Sequence, residues 1–346
     1  MAEVHWTAWL DDKGAWAPFW LGVAITIGSL LIRCAFDGFF LVTWGFPDGH
    51  NPLWRSDVWW PELVNAILLG YIPAVLVIAR RGIDRDLGQL RPWLPPNDAA
   101  VADIRAAALR PAGFVGRTYI LITIVASFTL VYVDRSLSQG VQPSLTNPVF
   151  MWHFLRIPVF IGFLSTLIVA DLIATRTYLR VGRNLIDVDL LDVQSLSPFG
   201  RRGLRSALTW VIFSVIFSLF WLGEGTAARQ NFAMLVFVLA MATAAFIFPL
   251  VGVHNKIRSV KNSELDRLRG EIQVERDAVI NKSSDEKHDS PRLANVIAYY
   301  QLIERAREWP IDAANLLRFF LYLLIGLGSW LGGALVELMV DRTLGA

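Results

Sequence analysis

Seven stretches of this chain, at about 16–42, 62–80, 117–133, 150–174, 205–222, 231–252 and 313–340, are apolar almost throughout and are parted by polar connections. An α-helix of roughly 20 apolar residues crosses a hydrocarbon core of about 30 Å, and a soluble domain has little use for several such runs. In hydrocarbon every backbone N–H and C=O must be paired within the protein, so each run is expected to be helical. The fold class that follows is all-α: a polytopic helical membrane protein of about seven transmembrane helices. Composition agrees, with 54% apolar and 18% charged residues and 14 Trp in 346.

Orientation follows from where the basic residues lie. Seven arginines fall within 80–117, six within 176–205, and 11 Lys/Arg between His254 and Trp309. The alternate connections hold only Arg55, Arg135 and Arg229. All six connections agree, which predicts a cytoplasmic N-terminus and an outer C-terminus in a bacterial-type inner membrane. Glu3, Asp11 and Asp12 precede the first apolar run, so the first span is expected to act as an uncleaved insertion signal. A net charge of +2 gives no general attraction to nucleic acid. One cysteine, Cys34, excludes an intrachain disulfide and a cysteine-based metal cage.

Residues 253–309 are the one long polar run. Ile257, Val260, Leu265, Leu268, Ile272 and Val279 recur at spacings of three to seven, which predicts a helix. Ser283–Asp289 reads as an exposed connection, and Ser290-Pro291 as the cap and first residue of a second helix with Leu293, Val296, Ile297, Tyr300 and Ile303 on its apolar face. A cytoplasmic helical hairpin is expected here, between 1–252 (spans one to six) and 310–346 (span seven and an outer tail). Isolated short helices are marginal in water. Ile257, Leu265, Leu268, Ile272, Val279 and Tyr300 are therefore expected to pack between the arms or against other subunits, as a homo-oligomer or with partner membrane proteins.

Two inner connections share a pattern: IDRDL at 83–87 with Leu90-Arg91-Pro92-Trp93, and IDVDL at 186–190 with Leu196-Ser197-Pro198-Phe199. FTLVYVD at 128–134 resembles FSLFWLGE at 217–224, and VDRSL at 133–137 resembles VDRTL at 340–344. A threefold repeat of inward-looped hairpins after one extra helix would produce these echoes, and so would topology plus chance. In the repeat alignment a short helix capped by Asn97 and stopped by Pro111 is an insertion.

Charges at depth are the candidates for chemistry, because each costs a few kcal/mol facing lipid. Arg33 and Asp37 stand four apart on the first span, Arg156 enters the fourth and Glu337 lies in the outer part of the seventh. These four are the candidate ligand or ion pathway. Asp171 and Arg318, nearer the inner surface, are candidate structural pair-formers. Gly328 with Gly332 and Ser329 with Gly333 form small-xxx-small pairs that admit a neighbouring helix, an intramolecular one by preference. In the Trp-rich connection 43–61, Asp48, His50 and Asp57 have no spacing of a metal cage and read as turn residues.

No metal site, cofactor motif, nucleophile motif or potassium-type filter is present in the sequence. The expected function is transport or permeation by an oligomeric membrane protein, not an enzyme, with the hairpin serving assembly or gating. A membrane sensor and a structural subunit of a larger membrane complex are the alternatives.

Overall fold

A computed structural model describes residues 13–43, 53, 59–109, 114–133, 148–186, 188–221, 228–281 and 291–344. Among them the chain is all-helical, without strands: α1 (Ala17–Thr43), α2 (Trp59–Leu90), α3 (Asp98–Ala108), α4 (Phe114–Val133), α5 (Pro148–Arg183), α6 (Ser197–Ser218), α7 (Ala228–Asn281), α8 (Pro291–Arg305) and α9 (Ala313–Leu344). Five helices are long and apolar enough to cross a membrane: α1, α2, α4, α5 and α7. Of the other two expected spans, α6 begins in an arginine-bearing segment and falls outside those five, and the described apolar part of α9, Ala313–Gly328, is shorter. Large apolar side chains stand exposed on α1 and α4, among them Ile27, Leu31, Leu121 and Ile122. A contiguous outward apolar surface of this kind suits lipid rather than water.

Helices α2 and α6 run antiparallel over their full length. Trp60 Nε1 donates to the Leu219 carbonyl at 2.6 Å, Tyr71 Oη to the Thr209 carbonyl at 2.8 Å, and Arg205 lies against Gly82. Helix α1 packs along α2 where two glycines face each other, Gly22 and Gly70, and the Arg81 guanidinium donates to the carbonyls of Lys13 and Gly14. Helix α5 meets α7 at a second glycine pair, Gly182 and Gly252, and α6 meets α7 at Gly203. Missing side chains let these backbones touch, which is how helices associate where lipid offers no hydrophobic drive. Of the expected small-residue face on α9 only Gly328 and Gly332 have described surroundings. No described residue lies within 4 Å of a Cβ built at Gly328 or Gly332, whereas Gly326 faces Val211; the side-chain surroundings of Ser329 and Gly333 lie outside the described residues.

The largest core sits at one end of the bundle, where the arginine-rich connections meet. It joins Leu90, Tyr178, Phe199, Leu250, Ile257 and Leu268 from α2, α5, α6 and α7. The sixth expected span and the first arm of the polar run are one helix: α7 continues unbroken for 54 residues, through Pro249. Helix α8 lies antiparallel beside its second half, as Lys261–Ala306, Arg269–Tyr300 and Glu275–Arg292 contacts show in turn. Ile257, Leu265 and Leu268 are buried within this chain, Ile272 and Tyr300 are half-buried, and the side chain of Val279 lies outside the described residues. The stripe therefore packs chiefly against α8 and the bundle end of its own subunit. Pro291 begins α8 as expected, and Asn97 caps α3 by accepting from the Ala99 amide at 2.9 Å.

The matching pentapeptides take different structures. Ile83–Leu87 lies in the last turns of α2, while the described residues of 186–190 are in no helix, and the prolines that follow open a 3-10 turn at Arg91–Trp93 and an α-helix at Ser197. They do meet: the Ile186 amide donates to the Trp93 carbonyl at 3.0 Å. What they share is a function in the core, since Leu87, Leu90, Leu190 and Leu196 are all buried in it.

Candidate functional site

Two clusters of buried charge lie along α2 and α5. The first begins with Arg33 and Asp37, which the helical period puts on one face of α1. Arg33 Nη2 is 3.2 Å from Asp37 Oδ1, and both side chains are almost fully buried. The Leu53 amide donates to Asp37 Oδ2 at 2.9 Å. The Arg33 guanidinium lies over the Trp152 ring, 5.0 Å from its centroid. Trp152 and Arg156 are one turn apart on α5, and both reach Glu62: Trp152 Nε1 donates to Oε1 at 3.0 Å and Arg156 Nη1 lies 2.6 Å from the same oxygen. Glu62 belongs to the first turn of α2, where the helix dipole favours an acid. Trp152, which lies under Arg33 and donates to Glu62, joins the two ion pairs into one cluster across three helices.

The second cluster is built on α6. Arg202, Ser206 and Trp210 recur every fourth residue and converge on Asp171 of α5. Arg202 Nη2 is 2.8 Å from Oδ1, the Ser206 hydroxyl is 2.6 and 2.8 Å from the two oxygens, and Trp210 Nε1 is 3.3 Å from Oδ2. One face round, Arg205 pairs with Asp86 of α2, a fully buried carboxylate that also accepts from Tyr178 Oη at 3.0 Å. Between α2, α5 and α6 is a cavity of about 80 Å³, lined by Arg80, Thr166, Asp171, Arg202 and Thr209 among apolar residues. It has room for a few waters.

Along α2 the two clusters are about 36 Å apart, 24 residues from Glu62 to Asp86 at about 1.5 Å each. That is close to the thickness of a hydrocarbon core with its borders. Ion pairs at such levels hold helices together, and one partner removed leaves a buried charge uncompensated.

Of the residues singled out in the sequence, Arg33, Asp37 and Arg156 come together, and the described environment of Glu337 does not extend to its side chain. Asp171 does join an interhelical bridge, but with Arg202; Arg318 is exposed at the start of α9. Glu62, Asp86, Tyr178, Arg202 and Arg205 were missed. Glu62 sits behind WWP at the end of the Trp-rich connection, and the two α6 arginines read as topological charges. A carboxylate in the first turn of an apolar helix was the available signal. Among the described residues no group of three His, Cys, Asp or Glu could hold a metal ion; Asp48, His50 and Asp57 lie outside them.

No family model matches the chain, and neither a curated protein nor a solved structure matches it.

Proposed function

We propose that this chain is a seven-span, bacterial-type inner-membrane protein that moves small ions or solutes, assembles as an oligomer, and carries a cytoplasmic helical hairpin at 253–309 for assembly or gating. In this reading the N-terminus is cytoplasmic and the C-terminus outside. The clustering at one end of the bundle of the start of α1, the Arg-rich end of α2 and the described residues of 183–202, 253–281 and 291–310 supports that orientation. The observation that carries the transport reading is the α2–α5–α6 seam. It holds buried ion pairs at two levels, with a small, mostly apolar cavity beside the inner one that Arg80, Asp171 and Arg202 reach. Apolar packing alone would hold these helices at lower desolvation cost, so a polar seam argues for a path. Purified protein in liposomes should pass ions or small solutes, and Arg156→Gln should stop the flux while the folded particle survives. Vesicles that remain tight with correctly inserted protein would contradict it.

A second reading, a sensor that relays an outer signal inward, is favoured by α7. Its single 54-residue helix joins the bundle to α8, and Lys261 and His254 clamp it to the chain at 306–309: Lys261 Nζ donates to the Ala306 carbonyl at 2.9 Å, and His254 stacks on Trp309 at 4.0 Å. A sensor would be silent in liposomes yet change amide protection in α8 when its ligand is added.

A further inference from the structure

The cavity between α2, α5 and α6 joins alkyl walls to guanidinium donors. Val75, Leu76 and Leu167 form much of its wall, and the short side chains of Ala79, Ala170 and Ala174 leave its space. Its polar lining is uneven. The Thr166 and Thr209 hydroxyls donate to carbonyls of their own helices, Gly162 at 2.8 Å and Arg205 at 3.0 Å, so towards the cavity they can only accept. Both oxygens of Asp171 are engaged by Arg202, Ser206 and Trp210. The other side-chain donors of the lining are those of Arg80 and Arg202. Arg202 is 3% exposed, and its Nε is buried with no hydrogen-bond partner. A buried donor in that state costs its full desolvation, more so on a charged group. An acceptor that tolerates alkyl walls would relieve it.

The level of the cavity in the bilayer follows from α1. Arg81, next to the half-buried Arg80, donates to the carbonyls of Lys13 and Gly14 just before α1. Trp16 and Trp20, one turn apart at the start of that helix, are 72% and 64% exposed. Exposed indoles belong to the headgroup layer of a membrane. Arg80 therefore stands at the depth where lipid phosphates lie.

We propose that this cavity binds one anionic phospholipid, a phosphate oxygen resting on the guanidiniums of Arg80 and Arg202 and the acyl chains lying outside along the bundle. The inference needs α2 and α5 to cross a membrane and does not need transport. A cavity of about 80 Å³ admits a phosphate-sized group and not the hydrocarbon attached to it. Guanidiniums bind phosphate by charge-assisted hydrogen bonds, and basic pockets between transmembrane helices at a membrane border suit anionic headgroups. An inorganic phosphate would give up its water to walls of alkyl groups, whereas a lipid phosphate arrives with hydrocarbon. An ethanolamine ammonium would meet Asp171 with its oxygens already engaged, which favours a headgroup without a cation. Bound there, the lipid ties α2 to α5 and α6 and supplies Arg202 with its missing acceptor.

The full chain in detergent, stripped of lipid, is given phosphatidylglycerol or phosphatidylethanolamine. Retained lipid is counted by native mass spectrometry, and thermal unfolding is followed in parallel. One phosphatidylglycerol per chain should be retained in preference to phosphatidylethanolamine, and should raise Tm by binding the folded state. Arg80→Ala should weaken retention about tenfold, the worth of one charge-assisted hydrogen bond, and remove the rise in Tm. Ala170→Leu fills the cavity without altering charge and should abolish retention. Arg85→Ala, an exposed arginine of α2 outside the lining, should retain lipid as the native chain does. Equal retention of the two lipids overturns the proposal, as does retention that Arg80→Ala and Arg85→Ala lower alike, which would mark a general attraction to the basic surface. Native retention in Ala170→Leu overturns it too; if that variant does not fold, the contrast of Arg80→Ala with Arg85→Ala decides. Displacement of phosphatidylglycerol by inorganic phosphate would make the cavity an ion site and overturn the lipid assignment.

Discussion

Gly252→Ala in α7 adds a single methyl group, and the structure says where it goes. A Cβ at Gly252 would stand 2.2 Å from the carbonyl oxygen of Leu179 on α5, and the reciprocal Cβ at Gly182 would stand 2.6 Å from the Val253 nitrogen. Both obstacles are backbone, so no side chain can swing aside. Contacts between carbon and carbonyl oxygen settle at about 3.3–3.6 Å, so α5 and α7 must part locally by about 1 Å. A gap of that size forfeits up to about half of each dispersion contact it opens. Tyr178, Leu250 and Val253, all buried, are packed at the crossing. Overpacking of this kind costs about 3 kcal/mol, roughly two orders of magnitude in the folded-to-unfolded ratio, or about 4 °C in Tm for a chain of this length. The control lies in the same helix. Gly270 has no described residue within 4 Å of its built Cβ, and Gly270→Ala should stabilise by up to about 1 kcal/mol through helix propensity. The assay is the melting temperature of detergent-solubilised protein, followed by the loss of the native peak in size-exclusion chromatography. If Gly252→Ala melts with or above Gly270→Ala, the close crossing of α5 and α7 is wrong.

Three other perturbations test separate parts of the account. Single cysteines at Ser138 and Thr226, in a Cys34→Ala background, should react with an impermeant thiol reagent from outside, and one at Ser284 only after permeabilisation; reversed reactivity would overturn the orientation. Leu268→Ala should lower stability by about 3 kcal/mol, because the side chain is 1% exposed between α7 and α8, and should leave the particle mass unchanged. Loss of the oligomer with an unshifted melting temperature would instead place Leu268 between subunits. Asp171→Ala leaves Arg202 charged and buried, so it should destabilise by about 3–5 kcal/mol, while the joint change with Arg202→Leu should recover most of the loss; no recovery would show that the two do not act as a pair.

Much of the architecture was written in local pattern. Runs of apolar residues located the helices but not all their ends, since α2 and α5 run on past the expected spans and α6 starts before its own; Asn97 and Pro291 marked helix starts because capping is a local matter. The partners of the charges were not local. Arg156 and Glu62 are 94 positions apart and Asp86 and Arg205 are 119 apart, so only the packing of α2 against α5 and α6 could pair them. The glycines repeat the lesson. Gly328 and Gly332 have the spacing of a helix-packing motif and no described neighbour, while Gly22, Gly70, Gly182 and Gly252, spread over four helices, make the close crossings. A small residue permits approach, and which helix approaches is decided by the whole bundle. The resemblance of IDRDL to IDVDL likewise marks shared core positions and not shared backbone, because one continues a helix and the other follows the end of one.

The measurement that bears most directly on the proposed function is flux through liposomes carrying the double variant Arg33→Leu with Asp37→Leu. The two residues pair within one helix, so their joint removal keeps the cluster neutral, leaves Glu62 bonded to Arg156, and spares the fold an unpaired charge. The account predicts a particle that melts at or above the temperature of the native chain and carries no flux. Native flux in that variant would contradict it, and would make the pair a matter of packing alone.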